Sequence, residues 1–201
     1  MTRPLLATSI VALSLVVART ASAEEQADKP ANPALDTSIT PTIGIGGGQS
    51  NGKAIGLPTT GGSFQAWGGI ARPITRALDI RTGLTLMHDF STTDVGTDVY
   101  RTRAGGRAGI MWGHRLEVGA TVHFAWIEVE RRKKDGALEA PGIGAGAFVL
   151  VRPIPTTRAF PFSPFLMATV TGDAYLPDRG KERRFGDTSL LLSFGIELGY
   201  R

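Results

Sequence analysis

Hydrophobic and polar residues alternate with a period of two over most of the chain after residue 38. Residues 116–126 and 78–86 follow this period, with apolar side chains at every second position. The last segment follows it most regularly, and its apolar positions are Leu190, Leu192, Phe194, Ile196, Leu198 and Tyr200. Because successive side chains of an extended chain point to opposite faces, this pattern predicts β-strands with one apolar and one polar face.

The stretch "DVYRTRAGGRAGIMWG", residues 98–113, places three arginines among small and apolar residues. Arg101, Arg103 and Arg107 all fall on positions of one parity, whereas Tyr100 and Trp112 fall on the other. On a helix the arginines would scatter around the axis, and three glycines within the stretch would weaken the helix. The stretch is therefore predicted to be a strand whose polar face carries a row of arginines.

Eight segments of this kind follow one another between residue 39 and the end of the chain. They lie near 39–48, 62–73, 77–90, 98–112, 116–130, 139–152, 162–173 and 188–200. Long polar connections are predicted after the odd-numbered segments and shorter connections after the even-numbered ones. An even number of alternating strands with connections of this kind predicts an all-β fold, an eight-stranded antiparallel up-and-down transmembrane β-barrel over residues 39–201.

The first 23 residues differ in kind from the rest. A basic start, an apolar run "LLATSIVALSLVVA" and small residues at Ala21 and Ala23 have the layout of a cleaved secretory signal peptide. The apolar run is shorter than the roughly 20 residues that a membrane-spanning helix needs. Residues 24–38 are polar and proline-containing, which predicts a flexible N-terminal lead-in.

Removal of the signal also changes the charge balance. It takes away Arg3 and Arg19 and no acid, which leaves 20 basic and 18 acidic residues. Such a balance is no electrostatic footprint for nucleic acid. The chain has no cysteine, so it forms no disulfide framework.

If the apolar face of the barrel meets lipid, the polar face lines a narrow lumen. The charged residues that parity places there are Asp79, Arg81, Arg101, Arg103, Arg107, Glu117 and Glu197. We expect arginine–carboxylate networks between strands, because charges in a low dielectric must pair or stay hydrated. Cations outnumber acids in this set, so ordered water or an anion is expected beside them.

Aromatic residues of the apolar face are expected at the two edges of the bilayer. Tyr100 and Trp112 are twelve positions apart, which corresponds to roughly 30 Å of height for a strand tilted by about 40°. The predicted aromatic girdles consist of Tyr100, Trp112, Trp126 and Tyr200. Trp112 and Leu116 must both face lipid, so the turn between them should contain the three residues 113–115.

With these features the mature chain resembles the small eight-stranded outer-membrane barrels of Gram-negative bacteria, the family of the OmpA transmembrane domain and OmpX. The ending "LLLSFGIELGYR" is similar to that family's C-terminal assembly signal, although here Arg201 follows the closing aromatic residue Tyr200. The resemblance implies location in the outer membrane, contact with its lipids and insertion by the barrel assembly machinery.

Two predicted external connections are strongly basic. We interpret them as contacts with the phosphates of lipopolysaccharide or with other acidic polymers, although a run of solvated charges has the same appearance. The residues concerned are Arg131, Arg132, Lys133, Lys134, Arg179, Lys181, Arg183 and Arg184.

No catalytic, metal-binding or cofactor-binding residues are expected. The three histidines are His88, His114 and His123. His88, Asp89 and Ser91 cluster at the predicted outer rim of the third strand, but we place His88 and Ser91 off the face of Asp89.

The predicted function is therefore that of a non-enzymatic, monomeric outer-membrane barrel with a structural, envelope-stabilising or surface-interaction role. The alternatives left open are a narrow anion-preferring channel, a lipid A-modifying enzyme and a soluble periplasmic lipocalin-like barrel with its apolar faces turned inward.

Overall fold

A closed ring of eight antiparallel strands makes up the barrel. The computed structural model describes residues 39–130, 137–155, 161–176 and 185–199. The strands are β1 (Thr40–Ala54), β2 (Leu57–Thr75), β3 (Leu78–Thr93), β4 (Asp98–Trp112), β5 (Leu116–Glu130), β6 (Ala137–Val151), β7 (Phe162–Tyr175) and β8 (Phe185–Gly199). Each strand pairs with its neighbour in sequence, and β8 pairs with β1 from Thr42↔Gly199 to Lys53↔Thr188. The predicted eight-stranded up-and-down barrel is confirmed. The predicted signal peptide and lead-in lie outside the described residues.

The barrel has two ends, which we name by what lies there. The terminal end holds the start of β1, the end of β8 and the connections β2–β3, β4–β5 and β6–β7. The loop end holds the connections β1–β2, β3–β4, β5–β6 and β7–β8. Trp112 pairs with Leu116 across a three-residue turn at the terminal end, as the parity of the two strands predicts.

The prediction of long connections at one end and short ones at the other was wrong in part. The first two strands continue far beyond the predicted limits, and only Ile55 and Gly56 separate them. Both residues have positive φ, 52° and 80°, as a tight hairpin turn of this type requires. At the terminal end, the ten-residue connection between Val151 and Phe162 is longer than the connections after the first and third strands. At the loop end, the pairing of β1 with β2 extends beyond the apolar belt. The outer parts of these two strands are polar, so the alternation of apolar residues did not reveal them.

The exposed apolar residues and the buried charged residues lie on opposite faces of the wall. Large apolar side chains point outward on all eight strands, and Leu84 and Phe124 are 67% and 77% exposed. The opposite parity carries the buried charges: Arg101 and Glu117, for example, have no exposed surface. In a soluble barrel the apolar face would point inward, so the observed arrangement is the reverse of the lipocalin-like alternative. The described residues contain no helix of the length and hydropathy needed to cross a membrane.

Candidate functional site: the charged lumen

The lumen is filled by layers of side chains rather than by one continuous polar surface. Two groups of charged residues lie at different heights, and we call them the loop-end network and the terminal-end network. Between them, Gln65 donates to Ser193 Oγ at 2.9 Å and accepts from Thr169 at 3.3 Å. An apolar cluster that includes Val99, Ile127 and Val129 packs inside the barrel towards the loop end.

The loop-end network is centred on Asp89 of β3. One carboxylate oxygen of Asp89 accepts from Arg103 Nη1, and the other accepts from Arg101 Nη1 at 2.6 Å. Ser50 Oγ also donates to Asp89, at 3.2 Å. The members of this network are Asp89, Arg101, Arg103, His123, Asp173 and Asp187.

The two arginines of this network also reach across the barrel. Arg101 Nε donates to Asp187 Oδ2, and Arg103 Nε donates to Asp173 Oδ2 at 2.8 Å. His123 Nε2 lies 2.7 Å from the other oxygen of Asp173. Because β4 and β8 lie on opposite sides of the ring, the Arg101–Asp187 pair spans its diameter, and the Arg103–Asp173 pair links β4 to β7. Buried pairs of this kind are costly to break, since the remaining partner is left as an uncompensated charge.

The terminal-end network is centred on Arg81 of β3. Its two terminal nitrogens bind two carboxylates, with Nη1 2.5 Å from Glu117 Oε2 and Nη2 2.5 Å from Glu197 Oε1. Arg107 Nη2 binds the other oxygen of Glu117 at 2.7 Å, and Arg152 Nη2 binds Glu197 at 3.0 Å. The planar fork of arginine suits this double contact, which a lysine ammonium could not make with the same geometry.

Two aromatic rings flank the guanidinium of Arg107. Its central carbon lies 4.6 Å from the ring centroid of Trp67 and 4.2 Å from that of Phe148. Trp67 in turn contacts Phe165, with ring centroids 4.8 Å apart. The positive charge therefore has one carboxylate partner and two aromatic faces, which compensate for the loss of water.

Arg152 follows the last residue of β6 and adds a fifth buried arginine. Burial lowers the pKa of Arg152 to about 10, although the carboxylate of Glu197 opposes the shift. The side chain thus stays charged at neutral pH and balances the second carboxylate of the terminal-end network.

Glycines on the inner face make room for both networks. A Cβ at Gly144 would overlap Asp173 Oδ1 and lie 2.5 Å from His123 Nε2, so only glycine admits this ion pair. A Cβ at Gly44 would overlap the indole of Trp67. These glycines on β1 and β6 are therefore spacers that set the width available to the lumen side chains.

The structure places all seven residues of the predicted polar lumen inside the barrel, where each is buried. Six of them belong to the terminal-end or loop-end network, and Asp79 lies 3.3 Å from His114 Nδ1 at the terminal end. Four further charged residues are buried in the lumen and were not among the predicted ones: Asp89, Asp173, Asp187 and Arg152. Their parity was the available signal, since Asp89 shares the parity of Arg81 and Asp187 that of Glu197.

The expected excess of buried cations is wrong. Among the described residues, five arginines and six carboxylates are buried in the barrel, so the charges nearly cancel without a bound anion. The predicted set contained only three of these six carboxylates, and the three missing aspartates account for the apparent excess of cations. The described residues also contain no group of three or more metal-ligating side chains placed to hold an ion.

The histidines occupy three different environments. His88 lies on the outer face and contacts Thr102 Oγ1 at 3.0 Å, whereas Ser91 lies on the inner face with Asp89 and binds Arg101 at 3.0 Å. The prediction that Ser91 lies off the face of Asp89 was therefore wrong, because both have odd parity on β3. His123 has an orienting acid, but its ring nitrogen Nδ1 has no hydrogen-bond partner among the described residues. Besides His123, the carboxylate of Asp173 accepts from Arg103 Nε and from the hydroxyl of Tyr175.

Of the four predicted girdle residues, three are described. Trp112 and Trp126 are exposed on the outer face, and Tyr100 is half-buried there. Tyr100 and Trp126 lie near the loop end, whereas Trp112 is the last residue of β4 at the terminal end. Tyr200 and Arg201 lie outside the described residues, as do all eight basic residues assigned to the external connections.

No protein-family model and no curated protein matches the chain. Three of the solved structures similar to it are bacterial barrels. Neisserial surface protein A has 13% identity and a TM-score of 0.44, over 80% of this chain and 96% of that one. Ail, the attachment invasion locus protein of Yersinia pestis, has 12% identity and a TM-score of 0.46 in its complex with the heparin analogue sucrose octasulfate, over 80% and 99%. The N-terminal β-barrel domain of Pseudomonas aeruginosa OprF has 13% identity and a TM-score of 0.39, over 81% and 98%. Identities and scores of this size describe a similar course of the chain and do not extend to function.

Proposed function

We propose that the chain is an integral outer-membrane barrel with a structural, envelope-stabilising or surface-interaction role. The observation that carries the proposal is the distribution of apolar side chains, which cover the outside of every strand while the ion pairs lie inside. Large contiguous apolar areas on a protein surface mark contact with a membrane or with another protein. An apolar surface around the whole barrel is therefore expected to face lipid rather than water.

The height of the apolar surface fits a bilayer. Leu84 of β3 pairs with Gly106 of β4, midway between Tyr100 and Trp112. The distance between these aromatic residues, roughly 30 Å at 3.3 Å per residue and a tilt near 40°, is close to the apolar band of outer-membrane barrels.

The packing of the lumen favours a structural role over conduction. Two ion-pair networks and an apolar cluster succeed one another along the barrel axis, and eight strands enclose a space that side chains just fill. An ion passing through would have to break buried ion pairs in both networks.

Substitution of Leu84 by Arg tests the membrane assignment. An arginine at the bilayer midplane costs about 2–4 kcal/mol, so the free energy of unfolding of the Leu84→Arg barrel in phospholipid vesicles should fall by that amount. Thr92→Arg is the matched control, because Thr92 is exposed on the outer face of the same strand and pairs with Asp98, two residues beyond Tyr100 towards the loop end, so an arginine there should cost about 0–1 kcal/mol. Urea titrations monitored by tryptophan fluorescence and by the mobility of unheated samples on gels measure the difference. Equal stability of both variants would exclude a lipid-facing position for Leu84.

We also propose that the eight basic residues of the two external connections bind lipopolysaccharide phosphates. The proposal rests on the basic sequence of the two connections. It also rests on the proposed membrane location, in which the loop end lies on the outer side of the membrane. Replacement of all eight by Gln should weaken association with lipopolysaccharide and leave the heat-dependent gel mobility of the barrel unchanged. Unaltered association in the Gln variant would refute this role.

A further inference from the structure

Among the described residues, the exposed charges at the terminal end of the barrel have one sign. Arg72, Arg76 and Arg115 are all exposed there. Among the described residues, the carboxylates at this end are those of Asp79, Glu117 and Glu197, and all three are buried inside the barrel. At the loop end, by contrast, the exposed charges of the described residues include Asp94 and Glu139. The terminal end therefore presents a basic rim.

Arg72 lies on the membrane-facing side of the wall. It pairs with Ile80 of β3, and Ile80 pairs with Ile110 of β4, all three on the exposed outer face. Ile110 lies two residues inside Trp112 on β4, and the tilt of the strands places Arg72, two strands earlier, nearer the terminal end than Ile110 and close to the level of Trp112. The Arg72 guanidinium can therefore extend towards the rim and reach water or a headgroup. Long arginine side chains at membrane edges commonly adopt this arrangement.

The turn that carries Arg115 is held rigidly against the neighbouring connections. Gly113 N donates to Ala77 O at 2.7 Å, and Arg152 N donates to Arg115 O at 2.7 Å. His114 has a positive φ of 59°, and its ring is held by Asp79. Arg115 is thereby fixed at the rim, beside the strand that ends in the exposed indole of Trp112.

We propose that Arg72, Arg115 and Trp112 form a binding surface for the phosphate headgroup of an anionic phospholipid in the leaflet at the terminal end. The inference rests on the membrane location proposed above. Trp112 lies on β4, between the strand that carries Arg72 and the strand that follows Arg115. At 4.8 Å per strand it is about 10 Å from β2 and about 5 Å from β5. The indole occupies the headgroup level, and the two guanidinium groups supply charge-assisted hydrogen bonds to phosphate oxygens.

Local lipid preference can be measured through Trp112. In the full chain with Trp126→Phe, Trp112 is the lipid-facing tryptophan, because Trp67 points into the lumen. The protein is inserted into mixed phosphatidylcholine–phosphatidylglycerol vesicles in which either one lipid or the other carries bromine. We expect brominated phosphatidylglycerol to quench Trp112 with a several-fold higher apparent affinity, since each basic residue near an anionic lipid surface favours binding roughly fivefold. High salt should reduce the preference.

The variant Arg72→Gln/Arg115→Gln should lose this preference. Arg131→Gln/Arg132→Gln, which removes the same charge from the other predicted side of the membrane, should keep it. Equal quenching by both lipids in the parent, an unchanged preference in the first variant, or an equal loss in the second would overturn the assignment of the lipid site. If neither lipid quenches Trp112 and the gel mobility does not depend on heating, the membrane location itself is refuted.

Discussion

Asp89 should be a highly sensitive charge of the lumen, because it neutralises two buried arginines at once. Its side chain has no exposed surface, and its two oxygens bind Arg101 and Arg103 separately. Asp89→Asn keeps the size of the group but removes the charge and turns an amide N–H group towards an arginine donor. Breaking one buried ion pair costs about 3–5 kcal/mol, and we expect at least this loss.

The measurement is a reversible urea titration of the barrel in phospholipid vesicles, with the free energy of unfolding obtained by linear extrapolation. Asp94→Asn is the matched control, since Asp94 is exposed in the connection after β3 and its replacement should change stability by less than about 0.5 kcal/mol. If the loss of stability in Asp89→Asn exceeds that of the control by no more than about 1 kcal/mol, the reasoning is refuted, because water would then reach both arginines freely.

Three further outcomes are expected. Gly144→Ala should lower the urea midpoint strongly by pushing a methyl group into Asp173. Gly172→Ala is the control and should leave the midpoint nearly unchanged, because nothing lies within 4 Å of the added Cβ. Equal midpoints in the two variants would contradict the spacer role of Gly144. Arg107→Lys should lower the free energy of unfolding by about 1–2 kcal/mol in the same titration, because a lysine ammonium cannot stack as a plane against Trp67. An unchanged free energy would mean that the ring contacts do not contribute to stability. Planar-bilayer recordings of the purified barrel should show no stepwise conductance, since side chains fill the lumen, and regular anion-selective steps would favour the channel alternative.

The sequence by itself determined which face of each strand a residue occupies. A period of two follows from the pleat of an extended chain, so the parity of the arginines around residue 103 fixed them on the face opposite Tyr100 and Trp112. The number of strands and the three-residue turn at residues 113–115 followed from the same counting. The limits of β1 and β2 did not follow from it, because strands that pair outside the apolar belt can consist of glycine and polar residues.

Only the tertiary structure decided which charges meet. Parity could have assigned Asp89, Asp173 and Asp187 to the lumen, but it carries no information about partners on other strands. Arg101 binds Asp187, 86 positions away in the sequence and on the opposite side of the ring. That contact depends on the closure of β8 against β1 and on the register of every pair between them, which together set the height at which each side chain enters the lumen. The alternation of the sequence therefore fixes the inside and the outside of this protein, and the closed ring fixes the ion pairs that fill it.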